Sequence, residues 1–397
     1  MTHRPSLPRL ALACLLALPA ASHAAPDAEA IRAIVDKAIR PVLAEHEVPG
    51  MAVALTVDGK TMFFNYGLAS KQPARPVTEH TLIELGSISK TFAGTLAIYA
   101  QVQGKLSFGD HPGKYLPALQ GSALDRATLL ELGVYTAAGL PLQVPDAVQD
   151  DARMLAWLRA WQPEAPPGTQ RRYSNPSIGL FGRIAAMSLG RDFGAALDGE
   201  LLPALGLRHT HVRMPAAAMA DYAWGYDGAG KPVRSGPGVF DMESYGVKAS
   251  SADLIRFVQA NIDPAGLPAP LRRAVEGTHV GYYQVGPMVQ GLGWEQYLPP
   301  FTLRGLVEGN SSAMSQQANP VTQRDPAPAP PGTLFNKTGS TRGFGAYAVF
   351  IPERRIGIVM LANKFYPNAA RVTAAHAILT QIDAQVGAQP ATQAAAR

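Results

Sequence analysis

Thiols are almost missing from this chain of 397 residues, whose single cysteine is Cys14. No intrachain disulfide can form, and no set of thiolates can gather around a metal. Charge is sparse too, at 16% of residues against 47% hydrophobic ones. Past residue 24 no apolar run approaches the roughly 20 residues needed to span a bilayer. A Gly-x-Ser-x-Gly turn is absent, which excludes the α/β-hydrolase way of presenting a nucleophilic serine. There is no internal repeat.

What is present begins with an export signal. Arg4 and Arg9 form a basic start, residues 10–20 an apolar run, and Ser22-His23-Ala24 a small-residue cleavage site, so residues 1–24 read as a secretory signal and the mature chain starts at Ala25. The run is too short for a membrane anchor, and it continues past Cys14, which argues against a lipoprotein signal. An exported chain without disulfides implies the bacterial periplasm and stability drawn from the core. Without the signal, 33 basic residues stand against 30 acidic ones, a scattered surplus that gives no basis for nucleic-acid binding. With no exposed apolar stripe to cover, a monomer is expected.

Periodicity predicts a helix over 27–45, a hairpin of strands 51–57 and 61–66 turning at Asp58-Gly59, and helical segments near 129–134, 154–161, 177–189, 195–202 and 252–260. Strands are expected at 334–336, 344–351 and 356–361, a last helix over 370–386, and a disordered tail over 389–397. Residues 311–333, rich in Pro, Gln, Asn and Ser, read as a surface excursion. The expected fold class is α/β (α+β): one unit over 25–397, with an antiparallel sheet flanked by helices (25–85 and 300–388) and a mostly helical lobe (86–299).

Three short stretches carry chemistry. Ser87 precedes a helix that Ala93, Leu96, Ala97 and Ala100 define and that Gly104 suits for ending. Lys90, three residues on, lies over the Ser87 hydroxyl on the same face. A desolvated lysine can take or share that proton, and the helix start favours negative charge on an attacked carbonyl oxygen. The pair is set for acyl transfer, although taken alone it reads more simply as an N-cap serine with a solvated lysine one turn later.

Tyr173-Ser174-Asn175 lies in a loop between helices. A tyrosine near ammonium groups loses its proton more readily and can serve as a base, and an asparagine offers both a donor and an acceptor to a substrate amide. Lys337-Thr338-Gly339-Ser340 places a lysine where it can meet a carboxylate and hold down a neighbouring tyrosine's pKa. Gly339 permits close approach of a ligand backbone, and the Ser340 N–H can face an oxyanion. Singly, each reads as an ordinary turn.

In this order, Ser87-x-x-Lys90, Tyr173-x-Asn175 and Lys337-Thr338-Gly339 resemble the three active-site motifs of serine β-lactamases and penicillin-binding proteins, and the Tyr-x-Asn form resembles class C, the cephalosporinases. The resemblance extends to Thr136-Ala137-Ala138-Gly139-Leu140-Pro141-Leu142-Gln143, Tyr245-Gly246-Val247-Lys248, Gly291-Leu292-Gly293-Trp294-Glu295 and Ala362-Asn363-Lys364, nearly the whole mature chain.

It implies a β-lactamase/transpeptidase-like fold and hydrolysis of β-lactam antibiotics, cephalosporins above all, conferring resistance. By the same resemblance Ser87 is the acylated nucleophile, Lys90 and Tyr173 move protons, and Lys337 meets the drug carboxylate with Thr338 and Asn368 beside it. Gln143 and Asn175 contact the drug's side-chain amide, Tyr245 lines the facing wall, Glu295 orients groups near Lys337, and the Ser87 and Ser340 N–H groups form an oxyanion hole. Phe365 and Arg342 depart from the usual pattern and leave the substrate profile open.

Two enzymatic alternatives share the motifs, a D-alanyl-D-alanine peptidase and an esterase. A third reading is a sensor that stays acylated, which would be expected to carry a membrane anchor. No cofactor is expected, and no metal either: His209-Thr210-His211 lacks a third ligand at recognisable spacing.

Overall fold

The computed structural model describes residues 28–137 and 139–388. The signal segment, Cys14 and the 389–397 tail lie outside the described residues.

The framework is a ten-stranded sheet whose neighbours all pair antiparallel. Its order is Thr322–Pro328, Val280–Val285, Met288–Gly291, Glu295–Tyr297, Leu334–Thr341, Phe344–Ile351, Ile356–Ala362, Gly50–Val57, Lys60–Lys71 and Ala74–Pro76. The strands Gly50–Val57, Phe344–Ile351 and Ile356–Ala362 are buried along their whole lengths, which requires cover on both faces. A Cβ on Gly357 would meet Val258 of the helix Ser251–Ile262 at 2.5 Å, and one on Gly345 would meet Arg371 of the helix Asn368–Ala388 at 2.7 Å. Gly345 stands opposite Ala362, an odd number of residues from Gly357. The two helices therefore lie on opposite faces, and Ala28–Glu45 packs beside the second.

The helix Ser89–Val102 is buried almost all round and packs on the helices Asn175–Ser188 and Ala269–Gly277. This helical layer sits at the end of the sheet where the strand Leu334–Thr341 crosses the 3₁₀ turn Gly86–Ile88.

Two segments differ from the reading of the sequence. Residues 280–297, placed in the helical lobe, supply three strands of the sheet. Residues 311–333 do run over the surface, but they include the helix Ser312–Gln316 and the edge strand Thr322–Pro328. The three short strands of 280–297 pair with one another and join the sheet through Thr322–Pro328 and Leu334–Thr341, and none is long enough for local periodicity to mark it.

Candidate active site

Ser87 occupies the 3₁₀ turn that leads into the Ser89–Val102 helix. Gly86 makes that turn with φ +53°, a conformation that glycine adopts without strain. The Lys90 Nζ donates to Ser87 Oγ at 2.9 Å and to the Ser244 carbonyl at 2.7 Å. Lys90 is fully buried, and burial pulls its pKa down to about 8, so near neutrality it can both hold and release a proton.

Tyr173 follows the short strand Gln170–Arg172, and Ser174 then caps the Asn175–Ser188 helix by accepting the Ser177 N–H at 3.1 Å. The cap explains the local order: an extended residue that presents its ring, an N-cap, then an asparagine in the first turn. Lys90 Nζ and Lys337 Nζ lie 5.1 and 5.0 Å from the Tyr173 ring centroid. Burial alone would push the Tyr173 pKa up, but the charges of Lys337 and Lys90 outweigh it and the net shift is downward. The phenol oxygen is buried and makes no hydrogen bond of normal geometry.

Lys337, Thr338, Gly339 and Ser340 lie in the middle of a strand, not at a turn. A Cβ on Gly339 would fall 1.9 Å from the Leu85 carbonyl oxygen and 3.0 Å from the Ser87 nitrogen, and one on Gly86 would fall 2.3 Å from the Ser340 nitrogen. Two glycines thus let the strand touch the nucleophile's turn and bring the Ser87 and Ser340 amides together. Lys337 donates to Glu295 at 3.0 Å. Burial would lower the Lys337 pKa, but Glu295 and Tyr173 raise it overall, so it stays an ammonium.

The residues that the three motifs and the resemblance assign to the site converge here. Ser87, Tyr173, Glu295, Lys337, Thr338 and Asn368 line a pocket of about 210 Å³ with Ser340. Gln143, Asn175 and Tyr245 line a second arm of about 260 Å³ that shares Ser87, Tyr173 and Ser340 with it. Lys90 lies beneath their junction. Asn175 Nδ2 donates to Gln143 Oε1 at 2.9 Å, while Asn175 Oδ1 is buried without a partner. Asn368 Nδ2 donates to the Asn310 carbonyl at 3.0 Å.

Three residues in the site went unnoticed in the sequence. Arg171 is buried, with its guanidinium 5.3 Å from the rings of both Tyr135 and Tyr173, 3.5 Å from Glu295 and donating to Gln290 at 2.7 Å. It fixes the Tyr173 ring and shares the Glu295 charge. Ser244 offers its carbonyl to Lys90 and donates its hydroxyl to the Asn175 carbonyl at 2.9 Å, tying two motifs together. Arg371 is buried under the Lys337 strand and donates to the Gly339 carbonyl at 2.6 Å and Ser340 Oγ at 2.9 Å. The one available signal was position beside a motif: Arg171 two before Tyr173, Arg371 three after Asn368, and Ser244 directly before Tyr245.

Phe365 is exposed and stacks against the Arg371 guanidinium at 5.3 Å. His209 precedes and His211 ends a two-residue strand of a separate three-stranded sheet formed with residues 83–84 and 248–249. Among the described residues no three His, Cys, Asp or Glu side chains converge as a metal site.

The arrangement is a serine activated by a buried amine, a tyrosine held between two ammonium groups, and paired backbone amides at the nucleophile. Such a site performs acyl transfer. A family model described as "Beta-lactamase" matches residues 35–382. The β-lactamase of Pseudomonas fluorescens is 51% identical over 354 residues, 89% of this chain and 99% of that protein. A solved β-lactamase/D-alanine carboxypeptidase from Pseudomonas syringae superposes with a TM-score of 0.87 at 47% identity, covering 88% of this chain and 99% of that one. A class C β-lactamase in complex with cefoxitin superposes with a TM-score of 0.86 at 45% identity, over 89% of this chain and 99% of that one. On that sequence identity, coverage and fold, the chain belongs to the β-lactamase family, in its class C branch.

Proposed function

We propose that this hydrolase opens the β-lactam amide through an acyl-enzyme on Ser87, with cephalosporins as its preferred substrates, and so confers β-lactam resistance. The observation that carries the reading is the Lys90 ammonium 2.9 Å from Ser87 Oγ with a pKa near 8. Ser87 Oγ attacks the lactam carbonyl as its proton passes to the Lys90–Tyr173 pair, and the oxyanion meets the Ser87 and Ser340 amides. The C–N bond then breaks and the proton goes to the departing ring nitrogen. Tyr173 next takes a proton from water, whose oxygen attacks the ester carbon, and Ser87 leaves with that proton restored.

Lys337, Thr338 and Asn368 would hold the drug carboxylate, with Glu295 orienting Lys337. The side-chain amide would donate to the unpartnered Asn175 Oδ1 and accept from Gln143, against the wall of Tyr245. Residues 1–24 would direct the chain to the periplasm, where it would act as a monomer.

The test combines turnover and mass: purified protein with a chromogenic cephalosporin and with a slowly reacting β-lactam, beside Ser87→Ala. Rapid turnover, an adduct mapped to Ser87, and loss of both in the variant are expected. An adduct without turnover would move the answer to a sensor. Faster cleavage of a peptide ending in D-alanyl-D-alanine would favour the carboxypeptidase activity that the Pseudomonas syringae relative's name carries.

A further inference from the structure

The arm that holds Gln143, Asn175 and Tyr245 also receives Arg342, and among the described residues lining it Arg342 is the one with a full charge. Arg342 directly follows the strand Leu334–Thr341, before the chain turns into Phe344–Ile351. Its backbone is therefore held beside the nucleophile while 76% of its side chain stays exposed. Its ion-pair partner is Asp227 at 3.7 Å, a contact too long and too wet to be worth much. Asp227 has other partners, because its Oδ1 accepts the Ala229 and Lys231 N–H groups at 3.0 and 2.9 Å while Oδ2 faces Arg342. Glu84, behind Ser235 of the same arm, has both oxygens taken up by Tyr222 and Ser235. A ligand side chain entering here meets a neutral amide floor and a cation at the outer edge that can turn to it at little cost.

We infer that Arg342 is a specificity-determining residue that favours β-lactams carrying an anionic group on the acyl side chain and disfavours those carrying a cationic one. The inference rests on placing the acyl side chain in this arm, as in the mechanism above. A planar guanidinium can accept a carboxylate through two parallel N–H bonds, and a charge at the rim acts mainly on capture of the ligand.

The test uses three penicillins that differ only at the α-carbon of the side chain: benzylpenicillin, its α-carboxy analogue and its α-amino analogue. Their kcat/KM values are compared in wild type, Arg342→Lys, Arg342→Gln and Arg342→Glu. The ratio of α-carboxy to α-amino should fall about 3-fold in Arg342→Gln and about 10-fold in Arg342→Glu, and be largely kept in Arg342→Lys. The wild-type ratio should also narrow as salt is raised from 0.05 to 0.5 M. Ratios that stay level across the series, or losses equal for all three drugs, overturn the assignment, the second by marking a structural role. Turnover of benzylpenicillin by the wild type reports separately on the hydrolase reading, so a flat ratio counts against Arg342 acting on the acyl side chain and leaves that reading standing.

Discussion

Replacing Lys337 with Gln separates two things the ammonium can do: grip a carboxylate, and keep Tyr173 reactive. Its Nζ is 5.0 Å from the Tyr173 ring centroid. At an effective dielectric of about 20, a unit charge pair at that distance is worth about 3 kcal/mol, or roughly a hundredfold in rate. The direction is set by what remains. Burial raises the Tyr173 pKa, with Lys337 and then Lys90 pulling it down, so removing Lys337 lets it rise. Lys337 also depresses Lys90, whose pKa rises as well. Both changes shift the acidic limb of kcat/KM to higher pH.

The fold should survive the substitution. Glu295 keeps Arg171 at 3.5 Å, and glutamine can still donate to it, so the loss should stay below the 3–5 kcal/mol of a stranded buried charge. The assay is a pair of pH–rate profiles, one with a cephalosporin and one with an ester substrate that has no carboxylate. The electrostatic account predicts the shifted limb and a loss near a hundredfold at neutral pH with both. If the limb stays in place and the ester is hydrolysed as fast as by wild type, Lys337 only binds carboxylate and the account fails.

Gly339→Ala should cost about 2 kcal/mol or more and most of the activity, because the new Cβ would sit 1.9 Å from the Leu85 carbonyl oxygen; a thermal melt and chromogenic turnover check this, and a fully active variant would refute the close crossing. Lys90 is depressed from 10.5 to about 8. Between those values the unfolded chain binds the extra proton, so the penalty of burying Lys90 is full below about pH 8 and is relieved as pH rises toward 10.5. Denaturation of wild type minus Lys90→Met should therefore gain about 3 kcal/mol across that window, and a level difference would mean that Lys90 is not desolvated as the structure has it.

Much of the site is visible in the residues because local chemistry dictates it. A lysine three residues past a serine lies over it once a helix forms, and Ser174 caps the helix that starts at Asn175 by its side-chain oxygen alone. The Gly50–Val57 and Lys60–Lys71 hairpin pairs across Asp58-Gly59 with Val57 opposite Lys60, a register that its turn can set. By contrast, the strands Val280–Val285, Met288–Gly291 and Glu295–Tyr297 have six, four and three residues, too few for alternation to stand out. Thr322–Pro328 is exposed along its length and is a strand only because Val280–Val285 offers it hydrogen bonds.

By itself, then, the sequence determined which groups could react: the serine and lysine one turn apart, the tyrosine before a helix cap, and the glycine that leaves room for a strand. Tertiary structure decided what those groups are worth. Lys90 has a pKa near 8 only because other segments bury it, and Tyr173 is acidified by Lys337, 164 residues away in the chain. Arg171, Ser244 and Arg371 act through contacts with partners far along the chain. Proton affinity depends on the surrounding dielectric and charge, and both are properties of the packed fold.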